Sequence, residues 1–213
     1  LAPDIFQFTN KILVKTAPLL DIKQTLKDLK CVSEIWIISV NNDCKEVLYL
    51  LEKSKRSEDS ALDTETIINT INLTKTNQEF SFNYEEELNT KSEYSAPLNY
   101  LYEPNSAILK AGAFNSICSE FDAKKIAQHS HLYTSETLIE NFPGRTFKIK
   151  HITAYNPKEF KKLGIIKANV SCRNFKHKVE QVKQKLKLKD GGEIYLFATT
   201  NKNEKPILIS CVK

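Results

Sequence analysis

The opening part of the chain alternates between short apolar runs and stretches with helical spacing. In KILVKTAPLLD, residues 11–21, an unbroken apolar run is followed by Pro18 and Asp21. Such a run is typical of a strand that is apolar on both faces and lies in the middle of a parallel sheet. We therefore predict a strand over residues 11–15 and a helix over residues 22–30, with Asp21 as the helix N-cap.

Three further strands are predicted before residue 85. EIWIISV at 34–40 reads as a second fully apolar strand, and TIINTINL at 66–73 as a third. EFSFNY at 79–84 has aromatic residues at every second position, as expected of a half-buried strand at the edge of a sheet.

One more helix and two polar stretches complete this region. Asp43 and Glu46 have the spacing of a capping box, which predicts a helix that carries the apolar residues 47–51. Residues 53–65 are polar and charged and are predicted to form a loop. Residues 85–97 are acidic and Ser-rich, which is typical of a linker.

The middle of the chain predicts one helix. The spacing of apolar residues in SAILKAGAFNSICSEF, 106–121, is helical throughout. Gly112 lies inside this predicted helix, at a cost of about 1 kcal/mol relative to Ala. Residues 127–135 predict a short strand and a turn.

The last part of the chain predicts a compact module. Its predicted elements are a strand over 145–152, a helix from N-cap Asn156 to Gly164, a strand over 167–172, a helix over 176–189 stopped by Gly191 and Gly192, and two closing strands in EIYLFAT and PILISCV. In the second helix Val179, Val182 and Leu186 face inward and the lysines face outward. The order β-α-β-α-β-β is typical of an α+β sandwich of about 70 residues.

Charge is distributed unevenly along the 213 residues. Residues 1–95 contain 11 Lys and Arg against 16 Asp and Glu, whereas residues 96–213 contain 20 against 10. Residues 145–213 alone contain 17 against 5, a net charge of +12, although the whole chain carries only +5. This segregation indicates two modules with different partners.

Cysteine usage and hydropathy favour a cytoplasmic protein. The five cysteines include no CxxC pair, which favours reduced thiols over a disulfide framework or a zinc site. The apolar runs are too short to span a bilayer, and no leader segment is visible, so we expect no membrane association. HSH at 129–131 has no third His or Cys nearby, so we predict no metal site.

Several stretches, taken in order, resemble a known family. The chain resembles the C-terminal part of a bacterial family of class I S-adenosylmethionine-dependent methyltransferases that end in a THUMP-like domain. The resemblance rests on the order of KILVKTAPLLDI, EIWIISVNNDCKEVL, YLYEPNSAILKAGAF, SHLYTS, FPGR, ANVSCRNF and LKLKDGGEIYLFATT.

The resemblance implies an α/β fold with three parts. Residues 1–95 would be the C-terminal half of a Rossmann-like methyltransferase sheet. Residues 96–142 would be a ferredoxin-like connector, and residues 143–213 a THUMP-like domain, a small α+β type associated with binding structured RNA. The implied cofactor is S-adenosylmethionine and the implied partner is tRNA or rRNA.

The resemblance also assigns the predicted strands to positions in a seven-stranded methyltransferase sheet. KILVK would be the fifth strand of a seven-stranded sheet, residues 34–40 the sixth, and 66–73 or 79–84 the seventh, with strands one to four missing from this chain. A Gly-rich turn after the first strand lets the backbone of such sheets approach the cofactor. No glycine precedes Gly112, and an acidic residue for the ribose and an Asp/Asn-Pro-Pro-Tyr type motif are also absent. We therefore expect that these residues alone do not bind the cofactor.

One candidate site follows the first strand. Lys15, Thr16, Pro18 and Asp21 come after the carboxyl end of the predicted strand, where open α/β sheets place their ligands. They are candidates for the edge of a cofactor or substrate crevice. The alternative is that Asp21 only caps a helix and Pro18 only shapes a turn.

A second candidate site is the basic surface of the last module. Its candidate RNA-binding residues are Arg145, Arg173, Lys176, Lys178, Lys183, Lys185, Lys187 and Lys189. Lysines and arginines that neutralise phosphates give salt-dependent affinity without sequence choice. The alternatives are a solvated helix face for the lysines and internal ion pairs for the arginines, of which the chain has three.

Two classes of function remain open from the sequence. The first is an RNA methyltransferase, of which this chain would be the C-terminal fragment. The second is a non-catalytic RNA-binding or adaptor protein. In either case the strand over 11–15 would lack a partner on one side, which favours a homodimer through that sheet edge.

Overall fold

The computed structural model describes residues 2–53 and 66–213, and it divides into two compact units. The first unit comprises Leu1–Lys91 and Asn105–Ser116, and the second comprises Ser92–Pro104 and Ile117–Lys213. Most of the loop predicted over 53–65 lies outside the described residues.

The first unit is built on a five-stranded mixed sheet. Its elements are α1 (Ala2–Ile5), β1 (Lys11–Thr16), α2 (Ile22–Asp28), β2 (Val32–Val40), β3 (Asp43–Glu52), β4 (Ile67–Leu73), β5 (Gln78–Asn83), α3 (Tyr84–Asn89) and α4 (Ser106–Ala111). The strand order is β1-β3-β2-β4-β5, in which β2 and β4 are parallel and the other neighbours are antiparallel. It follows that β1 and β2 run in the same direction, with β3 between them in the opposite direction.

The first strand lies at the edge of this sheet and not in its middle. The strand itself and the N-cap of α2 are confirmed: the Asp21 carboxylate accepts a hydrogen bond from the Gln24 backbone N–H at 2.8 Å. However, β1 pairs with β3 and with no other described strand. The edge position agrees with the prediction that this strand lacks a partner on one side, but its predicted burial on both faces was wrong, since Leu13 is 63% exposed.

The helix predicted after Asp43 was also wrong, because those residues form β3. Asn41 and Asn42 both have positive φ, +49° and +65°, and connect β2 to β3. Two consecutive residues with positive φ are the signature of a tight hairpin turn whose twist matches the flanking strands. Side chains then alternate along β3, and Val47, Tyr49 and Leu51 are fully buried.

One face of the sheet forms the core of the first unit. Ile35, Ile37, Ile68 and Phe82 are almost fully buried on this face, and α4 packs against β2, β3 and β4. Phe80 and Phe82 alternate with exposed Glu79 and Ser81, and β5 ends the sheet, so the predicted edge strand is confirmed.

The predicted single helix over 106–121 is two short helices. Gly112 has φ +81° and is the C-cap of α4, and α5 (Ser116–Phe121) begins four residues later. A residue in the left-handed conformation commonly ends a helix, and glycine adopts this conformation at little cost. Gly112 therefore ends α4 and does not lie in the interior of a helix. The predicted linker over 85–97 is likewise partly helical, because Asn83 and Glu86 form the capping box of α3.

The second unit contains a seven-stranded mixed sheet. Its elements, besides α5, are β6 (Tyr100–Pro104), β7 (Lys124–Lys125), β8 (Tyr133–Ser135), β9 (Gly144–Ala154), α6 (Pro157–Lys161), β10 (Asn169–Cys172), α7 (Val179–Leu186), β11 (Tyr195–Thr200) and β12 (Pro206–Val212). The strand order is β10-β11-β12-β9-β6-β8-β7, and only β10 and β11 are parallel. The predicted order β-α-β-α-β-β from residue 144 onward is confirmed.

Both faces of this sheet carry apolar clusters. Phe160 of α6 and Val182 of α7 pack with Leu196 and Ala198 on one side. Phe197 belongs to a second cluster with strand residues that include Leu101 and Phe147. Because consecutive strand residues point to opposite faces, the two clusters lie on opposite sides of the sheet.

The second helix of the module is shorter than predicted. It spans Val179–Leu186 and ends at Lys187, which has φ +56°, so Gly191 and Gly192 do not stop it. The inward positions of Val182 and Leu186 are confirmed, because both are buried.

Candidate functional site

The four candidate crevice residues near the end of β1 have local structural partners. Lys15 Nζ lies 2.7 Å from Glu46 Oε1 across the β1–β3 pair, and Thr16 Oγ1 donates to the Val47 carbonyl at 3.4 Å. Pro18 lies in the turn before α2, and Asp21 caps that helix. The structure therefore does not gather the four side chains into one cluster.

Asp21 does line a cleft in the first unit. The cleft has a volume of about 470 Å³, and Tyr84, Glu87, Lys110 and Asn115 are among its other walls. Most of its charged groups already have partners within the unit. Lys110 Nζ donates to the Leu20 carbonyl at 2.7 Å, for example, so we assign the cleft no ligand.

Glu87 is the most heavily bonded side chain of this cleft. Its carboxylate accepts hydrogen bonds from the backbone N–H groups of Phe114, Asn115 and Ser116 at 2.8–3.1 Å and from Ser116 Oγ at 2.8 Å. A carboxylate in this position satisfies the unpaired N–H groups at the start of α5. The sequence offered no local signal for this contact, because 27–29 residues separate the partners.

Tyr84 also lines this cleft. The residue is 6% exposed, and Lys23 Nζ lies 5.4 Å from the centre of its ring. Burial raises the pKa of Tyr84 well above its ordinary value, and nearby Tyr49, Asp21 and Glu87 raise it further. Its hydroxyl therefore remains protonated at physiological pH.

The two candidate arginines of the second unit converge on one carboxylate. Arg145 Nε donates to Glu103 Oε2 at 2.8 Å, and its Nη2 contacts the same oxygen. Arg173 Nε and Nη2 each lie 2.6 Å from Glu103 Oε1. Glu103 was not among the sequence candidates.

The candidate lysines are mostly exposed and differ in their partners. Lys176, Lys178, Lys187 and Lys189 are exposed, as is Lys185, whose ammonium lies 4.5 Å from the centre of the Tyr155 ring. Lys183 is different, because its side chain is only 22% exposed and its Nζ lies 2.5 Å from Asp190 Oδ1. The helix face that remains open to a phosphate backbone therefore excludes Lys183.

Other kinds of site were also sought. Among residues 2–53 and 66–213, no group of three or more His, Cys, Asp and Glu side chains could hold a metal ion. Within the same residues, no helix has the length and apolarity needed to cross a membrane.

Comparison with known proteins places two segments of the chain. Residues 100–143 match a family described as a ferredoxin-like domain, and residues 144–213 match a family described as THUMP domain-like. These matches confirm the ferredoxin-like and THUMP-like parts of the resemblance. No curated protein matches the chain.

A solved structure matches the chain over its full length. It is the crystal structure of a "putative methyltransferase" from Porphyromonas gingivalis W83, with 33% sequence identity and a TM-score of 0.91. The whole of this chain is covered, but the chain spans only 53% of that protein's length.

Proposed function

We propose that this chain is the C-terminal part of an S-adenosylmethionine-dependent RNA methyltransferase and that its THUMP-like module presents structured RNA. The observation that carries the proposal is the full-length match to a protein described as a methyltransferase, together with the THUMP-like match over residues 144–213. We place the protein in the cytoplasm because its five cysteines form no disulfide in the structure.

The topology of the first unit supports a partial Rossmann-like sheet. A strand, a helix and a second strand in the same direction follow one another as β1, α2 and β2, as in the crossover units of α/β sheets. If β1 and β2 are strands five and six, the next strand along the chain is β3. The seventh strand is then β3, and not residues 66–73 or 79–84. The open edge of β1 is where further strands would pair.

The cofactor does not fit the residues that this chain supplies. Gly112 is the first glycine of the sequence, and it ends α4 instead of following a strand. The chain thus lacks the close backbone approach that a nucleoside cofactor needs after the first strand of such a sheet. We therefore derive no methyl-transfer step here and expect no S-adenosylmethionine binding by this chain alone.

Charge supports RNA as the partner of the second unit. Residues 145–213 carry a net charge of +12, and the lysines at 176, 178, 185, 187 and 189 are exposed, where they can contact phosphates. Duplex RNA exposes little base information to side chains, so recognition should depend on shape more than on sequence. Arg145 and Arg173 complete the proposed RNA-binding set.

The test measures binding of a tRNA-sized RNA by fluorescence anisotropy at several salt concentrations. Replacing Lys176 and Lys187 together by Glu should lower affinity by at least roughly tenfold and flatten the salt slope. Replacing Lys183 and Asp190 together by Ala is a control that removes one ammonium already paired and leaves the net charge unchanged. If wild type shows no binding at low salt, or the double Glu variant binds unchanged, the RNA proposal is wrong.

The alternative is a non-catalytic RNA-binding or adaptor protein. The distribution of glycines favours this alternative for the chain taken by itself. Methyl transfer to RNA by the protein made from the complete reading frame would support the RNA methyltransferase and exclude this alternative.

A further inference from the structure

The register of β6 with β9 sets the surroundings of Glu103. Glu103 of β6 and Arg145 of β9 are directly opposed across an antiparallel pair, so their side chains stand side by side. The neighbouring pair joins Pro104 to Gly144, where an added Cβ would lie 2.1 Å from the Glu103 carbonyl oxygen. Only glycine permits this approach, which brings β9 close against β6 at the position of the two side chains.

The second arginine reaches the same carboxylate from another strand. Arg173 follows the last residue of β10, and its backbone N–H donates to the Ala198 carbonyl at 3.0 Å. Its Nη1 donates to the Cys172 carbonyl at 2.8 Å, which fixes the plane of the guanidinium. Arg145 is supported differently, because its guanidinium carbon lies 5.5 Å from the centre of the buried Phe147 ring.

The three charges are unequally buried. The Glu103 side chain is 4% exposed, whereas the Arg145 and Arg173 side chains are 34% and 38% exposed. Each arginine gives its Nε–Nη2 edge to one oxygen of Glu103, which leaves further Nη donors on each guanidinium. The cluster therefore has a buried negative centre, two half-exposed positive groups and a net charge of +1.

We infer that Glu103 positions Arg145 and Arg173 as a clamp for a single phosphodiester group of RNA. Two guanidiniums repel one another, and a shared carboxylate holds them together in fixed orientations before the ligand arrives. Less side-chain freedom is then lost on binding, and the planar donors suit the bidentate recognition of phosphate. The charge of +1 complements the single negative charge of a phosphodiester.

The residues that follow Arg173 add exposed positive charge next to the proposed clamp. Residues 173–178 read RNFKHK, with Lys176 and Lys178 exposed ahead of α7. A phosphate held by the clamp thus has exposed ammonium groups available for its neighbours. This inference rests on the proposed RNA-binding function and adds Glu103 as a positioning residue that does not itself contact RNA.

The deciding variant is Glu103→Gln. A positioning role for Glu103 and simple attraction of RNA to total charge predict opposite changes in RNA affinity for this variant. It raises the net charge by one, so attraction of RNA to total charge alone would increase affinity. A positioning role predicts at least a roughly fivefold loss, because the arginines lose the charge that orients them. Glu193→Gln makes the same charge change at an exposed site of the same module and should bind RNA as tightly as wild type or more tightly.

Two conservative variants test the clamp without removing the carboxylate. Arg145→Lys and Arg173→Lys keep the charge, so the salt slope should stay unchanged while affinity falls roughly tenfold. Arg56→Lys makes the same chemical change in the acidic half of the sequence and is the control. Circular dichroism establishes that each variant is folded, and the lysine variants decide the matter if Glu103→Gln unfolds.

The outcomes separate this inference from the proposed function. If wild type binds no RNA, the proposed function and the clamp are both wrong. If wild type binds RNA with a steep salt dependence and the two lysine variants bind equally well, only the clamp is overturned. Tighter binding by Glu103→Gln would overturn the positioning role.

Discussion

Replacement of Glu87 by Gln should destabilise the first unit through a single side chain. The carboxylate accepts hydrogen bonds from three backbone N–H groups and one hydroxyl in the turn that leads into α5. In Gln one of the two oxygens becomes an NH₂ group, which would point at donors. The N–H group of either Phe114 or Ser116 then loses its acceptor in Glu87, whereas the Asn115 N–H lies within reach of both oxygens.

The expected loss follows from the strength of these bonds. A hydrogen bond to a charged group contributes about 1.5–3 kcal/mol to stability, and this site is only partly buried. We therefore expect Glu87→Gln to lower the free energy of unfolding by about 1.5–2.5 kcal/mol. The first unit has about 100 residues, for which a urea dependence of roughly 1.5 kcal/mol per M is typical, so the midpoint should fall by about 1–2 M.

The chain offers a probe that reports on this unit alone. Its one tryptophan, Trp36, lies on β2, so its fluorescence follows unfolding of the first unit. Glu85→Gln is the matched control, because Glu85 is an exposed carboxylate on the same helix. A Glu87→Gln midpoint within about 0.3 M of the control would refute the reasoning, since that difference is near the error of such measurements.

Two further predictions concern pH and assembly. Burial, with Lys125 and His129 nearby, lowers the pKa of His131, so the unfolded chain binds the proton more readily and stability should be lost as pH falls below about 6.5. His131→Asn, which tolerates the left-handed backbone there, should flatten the fall in thermal midpoint between pH 7.5 and 5.5, and an unchanged fall would exclude His131 as its source. In this chain taken alone, the edge of β1 lacks the further strands proposed above and should pair with a second copy, so Leu13→Glu should shift the sedimentation of a dimer to that of a monomer. A wild-type chain that sediments as a monomer at all concentrations would show that this edge does not pair.

The elements that sequence predicted well are those with local signals. Asp21 and Asn156 accept hydrogen bonds from the helices that they were predicted to cap, and the order of elements from residue 144 onward is as predicted. Capping depends on residues three or fewer positions apart, so the chain carries the information in one place.

The helix predicted after Asp43 was an error because two local signals competed there. Asp43 and Glu46 have capping-box spacing, but Asn41 and Asn42 just before them adopt the positive φ of a hairpin turn. A paired β3 buries three apolar side chains on one face, which a helix starting at Asp43 would not achieve beside β2. Two asparagines between apolar runs were the available signal for this turn.

The central member of the candidate RNA site could not be predicted from sequence. Glu103 lies 42 residues from Arg145 and 70 from Arg173, and only the register of β6 with β9 and the path of β10 bring them together. The sequence did single out both arginines, because arginine is scarce in this chain. It could not show that one buried carboxylate binds them both.

The pairing of β6 with β9 also bears on how the chain can be divided. The two matched families meet between residues 143 and 144, yet β6 and β8 from the first match and β9 to β12 from the second belong to one hydrogen-bonded sheet. A cut at that boundary would strip β9 of one neighbour and leave Arg145 without its carboxylate. The border between the two matched families is therefore not a border in the fold. For folding, expression and exchange between proteins, the ferredoxin-like strands and the THUMP-like module should be kept together as one piece.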